Sequence, residues 1–339
     1  MSEISAQNNA IFIDSETNLL PLLDSITNLP VDPPSLYIDL KGINLGRHGS
    51  VSIFALHIAS KQTTYLIDVH TLGKNAFSAT NEGGTSLRAV LESPTIPKVV
   101  FDIRNASDAL FSLFQVSVDG IRELQLMELA CRPELAGRTG CWEFVSSLAQ
   151  CIAKDSSMSA AGKMQWHRNR GLAYQLSTPE KDGGDRIFNE RPLRPEVVQY
   201  CTQNVQFLPD LFSVYNRQLR RGGQAFWRVR VRESTRDRIK LSQSLSYDGS
   251  SKSHARGWSD EVIEELTELW NEDLEMEDMI GENVWGENDE WVPAPIIDDF
   301  DDSLFGEEEE EVDDDDYYQD TARDCIGWEE DMVKNGEYF

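Results

Sequence analysis

The stretch "LYIDLKG", Leu36 to Gly42, decides how this chain is read. Leu36, Tyr37 and Ile38 have the bias of a buried strand, and that strand delivers Asp39 to its C-terminal end. An acidic residue two positions further on would make a metal-binding pair with Asp39. The residue there is Lys41.

Outward from this stretch, three β-rich runs follow one another: "LYIDL", "SVSIFALHIA" and "TTYLIDV". They are joined by segments as short as "RHGS" and "SKQ", which predicts an antiparallel meander. Before them, "NNAIFIDSETNLLPLLDSI" predicts a short strand and then a helix capped near Ser15. After them come a helix in "TSLRAVLES" and, in "KVVFDI", the unbroken apolar run of a strand buried on both faces. "NASDALFSLF" predicts a helix with Asn105 as its N-cap, and "WEFVSSLAQCIAKD" another helix. A long helix is expected over "RPEVVQYCTQNVQFLPDLFSVYNRQL", with Pro195 in its first turn. Val197, Cys201, Val205, Leu208 and Leu211 keep the helical period, and Pro209 should kink the helix about one turn beyond Asn204. The fold class is therefore α/β: a mixed sheet, an antiparallel meander plus parallel strands, flanked by helices.

Charge divides the chain. The net charge is −28 over 339 residues, but from Asp260 onward 33 acidic residues face only Arg323 and Lys334, a net of −31. The first 259 residues then hold 26 acidic and 29 basic residues, a net of +3, so the body does not repel nucleic acid as a uniformly acidic protein would. Four segments result. Residues 1–34 form a strand–helix lead-in, 35–220 the main domain, 221–258 a basic extension, and 259–339 an acidic tail. "DEVIEELTELWNEDLEMEDMI" has the pattern of a marginal amphipathic helix; the remainder of the tail, with "GEEEEEVDDDDYYQD", is expected to be disordered. The N-terminus has no signal-peptide pattern, and no run of about 18 apolar residues suggests a membrane span. Five cysteines without a C-x-x-C pair fit a reducing intracellular compartment, cytoplasm or nucleus, and argue against zinc.

The order of elements and the placement of their acidic and tyrosyl groups resemble the 3′–5′ exonuclease domain proteins of filamentous fungi, of the DEDD class with Tyr in the third motif and a ribonuclease H-like fold. The resemblance spans roughly residues 10–258. It implies two divalent ions, Mg²⁺ or Mn²⁺, held by four carboxylates, one ion activating water and the other stabilising the leaving oxygen. Asp39 matches the first motif, with Lys41 where Glu belongs. Asp108 in "FDIRNASDAL" matches the second. Tyr200 in "YCTQN" matches the third, with Asn204 where Asp belongs. Asp39 and Asp108 are thus the remaining metal ligands, and Tyr200 the group that orients water. Two carboxylates of charge −2 beside a lysine of +1 hold hard cations poorly, since such ions are bound by carboxylate charge and oxygen number. The ammonium of Lys41 is expected to take a cation's place, leaving ions weakly bound or absent and hydrolysis lost or strongly impaired.

Read singly, these residues have plainer roles. Asp39 ends a strand, Asp108 is a helix-surface residue, Tyr200 a core aromatic and Asn204 a solvated helix position, while Lys41 can extend along its stem to solvent.

If hydrolysis is lost, a surface for single-stranded nucleic acid remains, RNA before DNA. The candidates are Arg47 and His48 beside the first motif, Arg104 and Asn105 beside the second, and Lys163, Trp166, Arg168 and Arg170 in the polar insertion "KMQWHRNRGLAYQL". A solvated loop with a packed Trp describes that insertion equally well. The basic extension is the stronger patch, with eleven Lys and Arg against three acidic residues over 217–256. The polyanionic tail invites two roles, competition with nucleic acid for the basic surface and recruitment of a basic protein. Three functions remain open: a nucleic-acid-binding protein on a disabled exonuclease fold, a working exonuclease repaired by Asp102 or Glu123, and a protein-interaction scaffold.

Overall fold

The computed structural model describes residues 10–132, 141–177, 184–280, 283–286 and 289–293. Three strands, β2 (Leu36–Lys41), β3 (Ile53–Ile58) and β4 (Thr63–Asp68), form the expected antiparallel meander. β1 (Ala10–Ile13) adds in parallel to β4. On the other side β5 (Lys98–Val100) adds in parallel to β2, and β6 (Ile121–Glu123) to β5. The order is β1-β4-β3-β2-β5-β6, a mixed sheet of the ribonuclease H-like kind.

Helices cover both faces. In chain order they are α1 (Glu16–Ser25), two single turns α2 (Val69–Leu72) and α3 (Asn75–Ser78), α4 (Leu87–Glu92), α5 (Arg104–Phe114) and α6 (Leu124–Ala130). Then come α7 (Leu148–Asp155), α8 (Ala160–Ser177), α9 (Pro195–Gln206), α10 (Leu208–Leu219), α11 (Ala225–Gln243) and α12 (Asp260–Ile280). The strand period of two sorts β2 between the layers. Leu36, Ile38 and Leu40 join the core with Leu19, Leu22 and Leu110, whereas Tyr37 joins Cys201, Val205 and Leu208 of α9 and α10. Asp39 and Lys41 share Tyr37's parity and therefore face α9. Gly42 lets the chain fold back after β2, since a Cβ there would sit 1.8 Å from the Ser50 carbonyl oxygen.

Several expectations need correction. The long helix is broken at Phe207 into α9 and α10, with Pro209 in the first turn of the second, because proline offers no N–H to the helix ladder and crowds the preceding turn. Asn105 is not an N-cap: α5 starts at Arg104, and the buried Glu123 carboxylate accepts from the Asp102 and Ile103 N–H groups instead. The helix within "WEFVSSLAQCIAKD" begins only at Leu148, where Ser147 and Gln150 form a capping box. The insertion holding Trp166 is a helix, α8, rather than a loop.

The beginning of the acidic region is ordered further than its composition predicts. Beyond α12 a two-stranded ribbon, β7 (Asn283–Trp285) and β8 (Trp291–Pro293), is formed. Aromatic rings provide the missing apolar area: Trp270 meets Phe226 of α11 and Trp285, and Trp285 meets Trp291. Residues from 294 onward, including "GEEEEEVDDDDYYQD", lie outside the described residues, as do Cys325 and the side chain of Tyr174. Among the described residues no helix is long and apolar enough to cross a membrane.

Candidate functional site

A cleft of about 290 Å³ opens at the C-terminal ends of β2 and β5, lined by Asp39, Lys41, Asp102, Arg170, Tyr200 and Asn204 among others. β2 supplies Asp39 and Lys41 on one face. α9 supplies Tyr200 and Asn204, which stand one turn apart on one side of the helix. Lys41 Nζ lies 2.6 Å from Asp39 Oδ2 and 5.4 Å from the centre of the Tyr200 ring. Asn204 Nδ2 donates to the same Asp39 oxygen at 3.3 Å. Burial lowers the pKa of Lys41, but the charge and hydrogen bond of Asp39 and the neighbouring Tyr200 outweigh it, so the ammonium is held above its ordinary pKa. It is a fixed cation.

Asp108 is placed elsewhere. It is not among the residues lining this cleft, and it is 2% exposed. Arg47 grips it, the backbone N–H donating to Oδ2 at 2.8 Å and Nε to Oδ1 at 2.7 Å. The same guanidinium donates to the Ser242 and Ser244 carbonyls, each at 2.8 Å, and lies over the Tyr247 ring. Arg47 therefore ties the loop after β2 to the end of α11 and is spent inside the molecule.

The two carboxylates that sequence offered as replacements are also matched. Asp102 does line the cleft, but Arg104 holds it with Nε to Oδ1 at 2.7 Å and Nη2 to Oδ2 at 2.8 Å. Burial raises the Asp102 pKa, and the hydrogen bonds and charge of Arg104 overcome that, holding it below the usual carboxylate value. Glu123 is fully buried. It accepts three backbone N–H groups, of Asp102, Ile103 and Gln125, and pairs with Arg238 of α11 at 2.7 Å.

Of the proposed nucleic-acid contacts, Arg170 alone lines the cleft, its guanidinium 5.5 Å from the Trp166 ring. Trp166 is 2% exposed and is core, because α8 packs inward on α9; it has no free face for a base. Arg104 is buried on Asp102, and the Asn105 carboxamide accepts from the Tyr247 hydroxyl at 2.6 Å. His48 and Arg168 are exposed, and the half-buried Lys163 donates to the Ala153 carbonyl. Sequence reading missed Gln125, Ser147 and Leu148 as lining residues and the Arg238–Glu123 pair. Those partners are 115 residues apart, and no local pattern announces them.

The Mg²⁺ or Mn²⁺ that the resemblance implies finds a poor donor set here. Asp39 already holds an ammonium and an amide, and Asp102 a guanidinium. Among the described residues no group of three or more His, Cys, Asp or Glu side chains is arranged to hold a metal ion.

No protein-family model matches the sequence, and no curated protein matches it. Solved structures do. The chain is similar to Trypanosoma brucei RNase D in complex with RNA U12, at 16% identity over 73% of this chain and 75% of that one, with a TM-score of 0.56. It is likewise similar to the RNase D–GMP complex from the same organism, at 15% identity over 73% and 69%, with a TM-score of 0.57. The likeness is one of fold. This chain has the mixed-sheet architecture of the RNase D type of exonuclease.

Proposed function

We propose that this chain is a nucleic-acid-binding protein built on a 3′–5′ exonuclease fold, with single-stranded RNA as the favoured ligand and metal-dependent hydrolysis disabled. The observation that carries the reading is Lys41 Nζ at 2.6 Å from Asp39, in a cleft whose second carboxylate, Asp102, is held by Arg104. A positive charge built into the chain supplies what a hard cation would otherwise supply, and it cannot activate water. The exposed or half-buried cations Arg168, Arg170 and Lys163 around α8 are the natural contacts for a phosphate backbone. RNA is favoured because a protein of the same fold was crystallised with it.

A working exonuclease is the second reading, favoured by the position of Asp102 in the cleft and opposed by its Arg104 partner. The test uses a 5′-labelled single-stranded RNA with the full chain, first by binding at low salt and then by incubation with Mg²⁺ and with Mn²⁺. Retention of the RNA at full length under conditions where it is bound is the expected result. Progressive shortening from the 3′ end would establish the second reading. Absence of binding at low salt would leave only a protein-interaction role, with the acidic tail recruiting a basic partner.

A further inference from the structure

Among the described residues, fourteen large apolar side chains stand exposed, and seven of them fall between Val262 and Val284, on α12 and the start of the ribbon. Such crowding within an acidic segment is not the scatter of single exposed residues that any surface carries. α12 docks through one side: Ile263 joins the core layer of Trp142 and Trp258, and Trp270 packs against Phe226 of α11 and against Trp285. Beside that side runs a stripe of Val262, Leu266, Leu269, Met276 and Ile280. Its residues recur at steps of four and three with Asp273 in the one gap, which is the period of a coiled-coil seam. Leu266 is half-buried, and the other four are between 42% and 59% exposed. The stripe extends about 27 Å along the helix.

A second row accompanies it. Glu261, Glu265, Glu268, Glu272 and Glu275 each precede a stripe position by one residue, so they border the stripe on the side away from Ile263 and Trp270. All five are exposed. The whole helix holds ten acidic residues and no basic one, and this charge selects the occupant. A second copy would lay two helices of charge −10 together and place an Asp273 in each seam. Residues 294–339 of this chain carry 19 acidic residues against Arg323 and Lys334, so they are repelled in the same way, as is nucleic acid. A helix with an apolar face and Lys or Arg along its border is attracted by the glutamate row, and a basic side chain opposite Asp273 fixes its register.

We propose that α12 is a docking seam for a basic amphipathic helix of a partner protein, held by the apolar stripe and aligned by the glutamate row. The inference is independent of the nucleic-acid reading, since neither the Asp39 cleft nor the cations of α8 contribute to the seam.

The test measures fluorescence anisotropy of labelled peptides about three heptads long against the full chain. One peptide has Leu at heptad positions a and d with Lys at e and g; the second has the same composition in scrambled order; the third has Glu in place of Lys. The first is expected to bind at least about tenfold more tightly than the second, and the third not to bind. Leu269→Ser with Met276→Ser, both at exposed positions, should weaken the first peptide about tenfold or more without changing the charge of the helix. Glu265→Lys with Glu272→Lys leaves the stripe intact; it should weaken the Lys peptide and allow the Glu peptide to bind. Equal binding of the scrambled peptide would overturn the inference, because the segment would then act as a simple polyanion. Binding of the Lys peptide that ignores Leu269→Ser with Met276→Ser would overturn it as well, and so would absence of binding. A dimer of the full chain in sedimentation that this double substitution dissociates would assign the stripe to a second copy instead. RNA affinity is measured separately, so either reading can fail alone.

Discussion

The two ends of the same parallel strands face opposite charge problems. At the C-terminal ends, Asp39 and Asp102 are answered by Lys41 and Arg104; at the N-terminal ends, Arg220 and Arg228 are answered by Asp32 and Asp289. The pairs differ most in sequence distance. Asp39 and Lys41, like Asp102 and Arg104, are two residues apart, so a pair that opens re-forms at once. Arg228 and Asp289 are 61 residues apart, and their contact is held by a ribbon and a few tryptophans. A short tether gives a high effective concentration, and a long one leaves room for competition. The first arrangement is fixed by local geometry; the second depends on how distant segments pack.

The largest expected effect breaks the C-terminal end at its base. Glu123→Gln leaves Arg238 buried beside a neutral amide and should destabilise the fold by about 3–5 kcal/mol, read by urea denaturation. A loss below about 1 kcal/mol would show that Arg238 finds other acceptors. At the N-terminal end, Lys98 at the start of β5 is fully buried, with Nζ donating to the Val90 and Ser93 carbonyls. Burial lowers its pKa to about 8, opposed by Asp119 and reinforced by Arg122. The unfolded chain therefore binds the proton more tightly than the folded one. Its cost is fully present below pH 8 and is relieved as pH rises toward 10.5, a gain in stability of roughly 3 kcal/mol. The difference in unfolding free energy between the natural chain and Lys98→Met should follow that slope between pH 8 and 10.5. A pH-independent difference would contradict it. The smallest effect concerns the cleft wall: Ser147→Ala removes the capping box of α7 and should cost about 1 kcal/mol, read by urea denaturation.

What sequence revealed and what it hid follow from interaction range. The alternation in Leu36–Lys41 placed Asp39 and Lys41 on one side, and the i, i+4 spacing placed Tyr200 and Asn204 opposite them, because both patterns are local and periodic. Pro209 announced a disturbance at that point for the same reason, but as a kink in one helix, where the structure has two. Asn105 looked like a cap because its residue type suits one, but α5 starts one residue earlier and has no side-chain cap, and the Glu123 carboxylate takes the N–H groups just before it. Asp108 matched the second motif by position in "FDIRNASDAL", yet the structure turns it to Arg47, a choice made by the tertiary path of the loop after β2. Trp166 was read among basic neighbours as a stacking platform; the inward packing of α8 made it core. Net charge described the acidic region well but hid the tryptophans that order its beginning.

If Lys41 stands in for a cation at Asp39, Mn²⁺ binding should depend on it. Titration followed by electron paramagnetic resonance would compare the natural chain with Lys41→Glu, Asn204→Asp; the acidic tail contributes the same background to both. An additional bound Mn²⁺ is expected in the double variant only. An equal number of ions bound with equal affinity in both would contradict it.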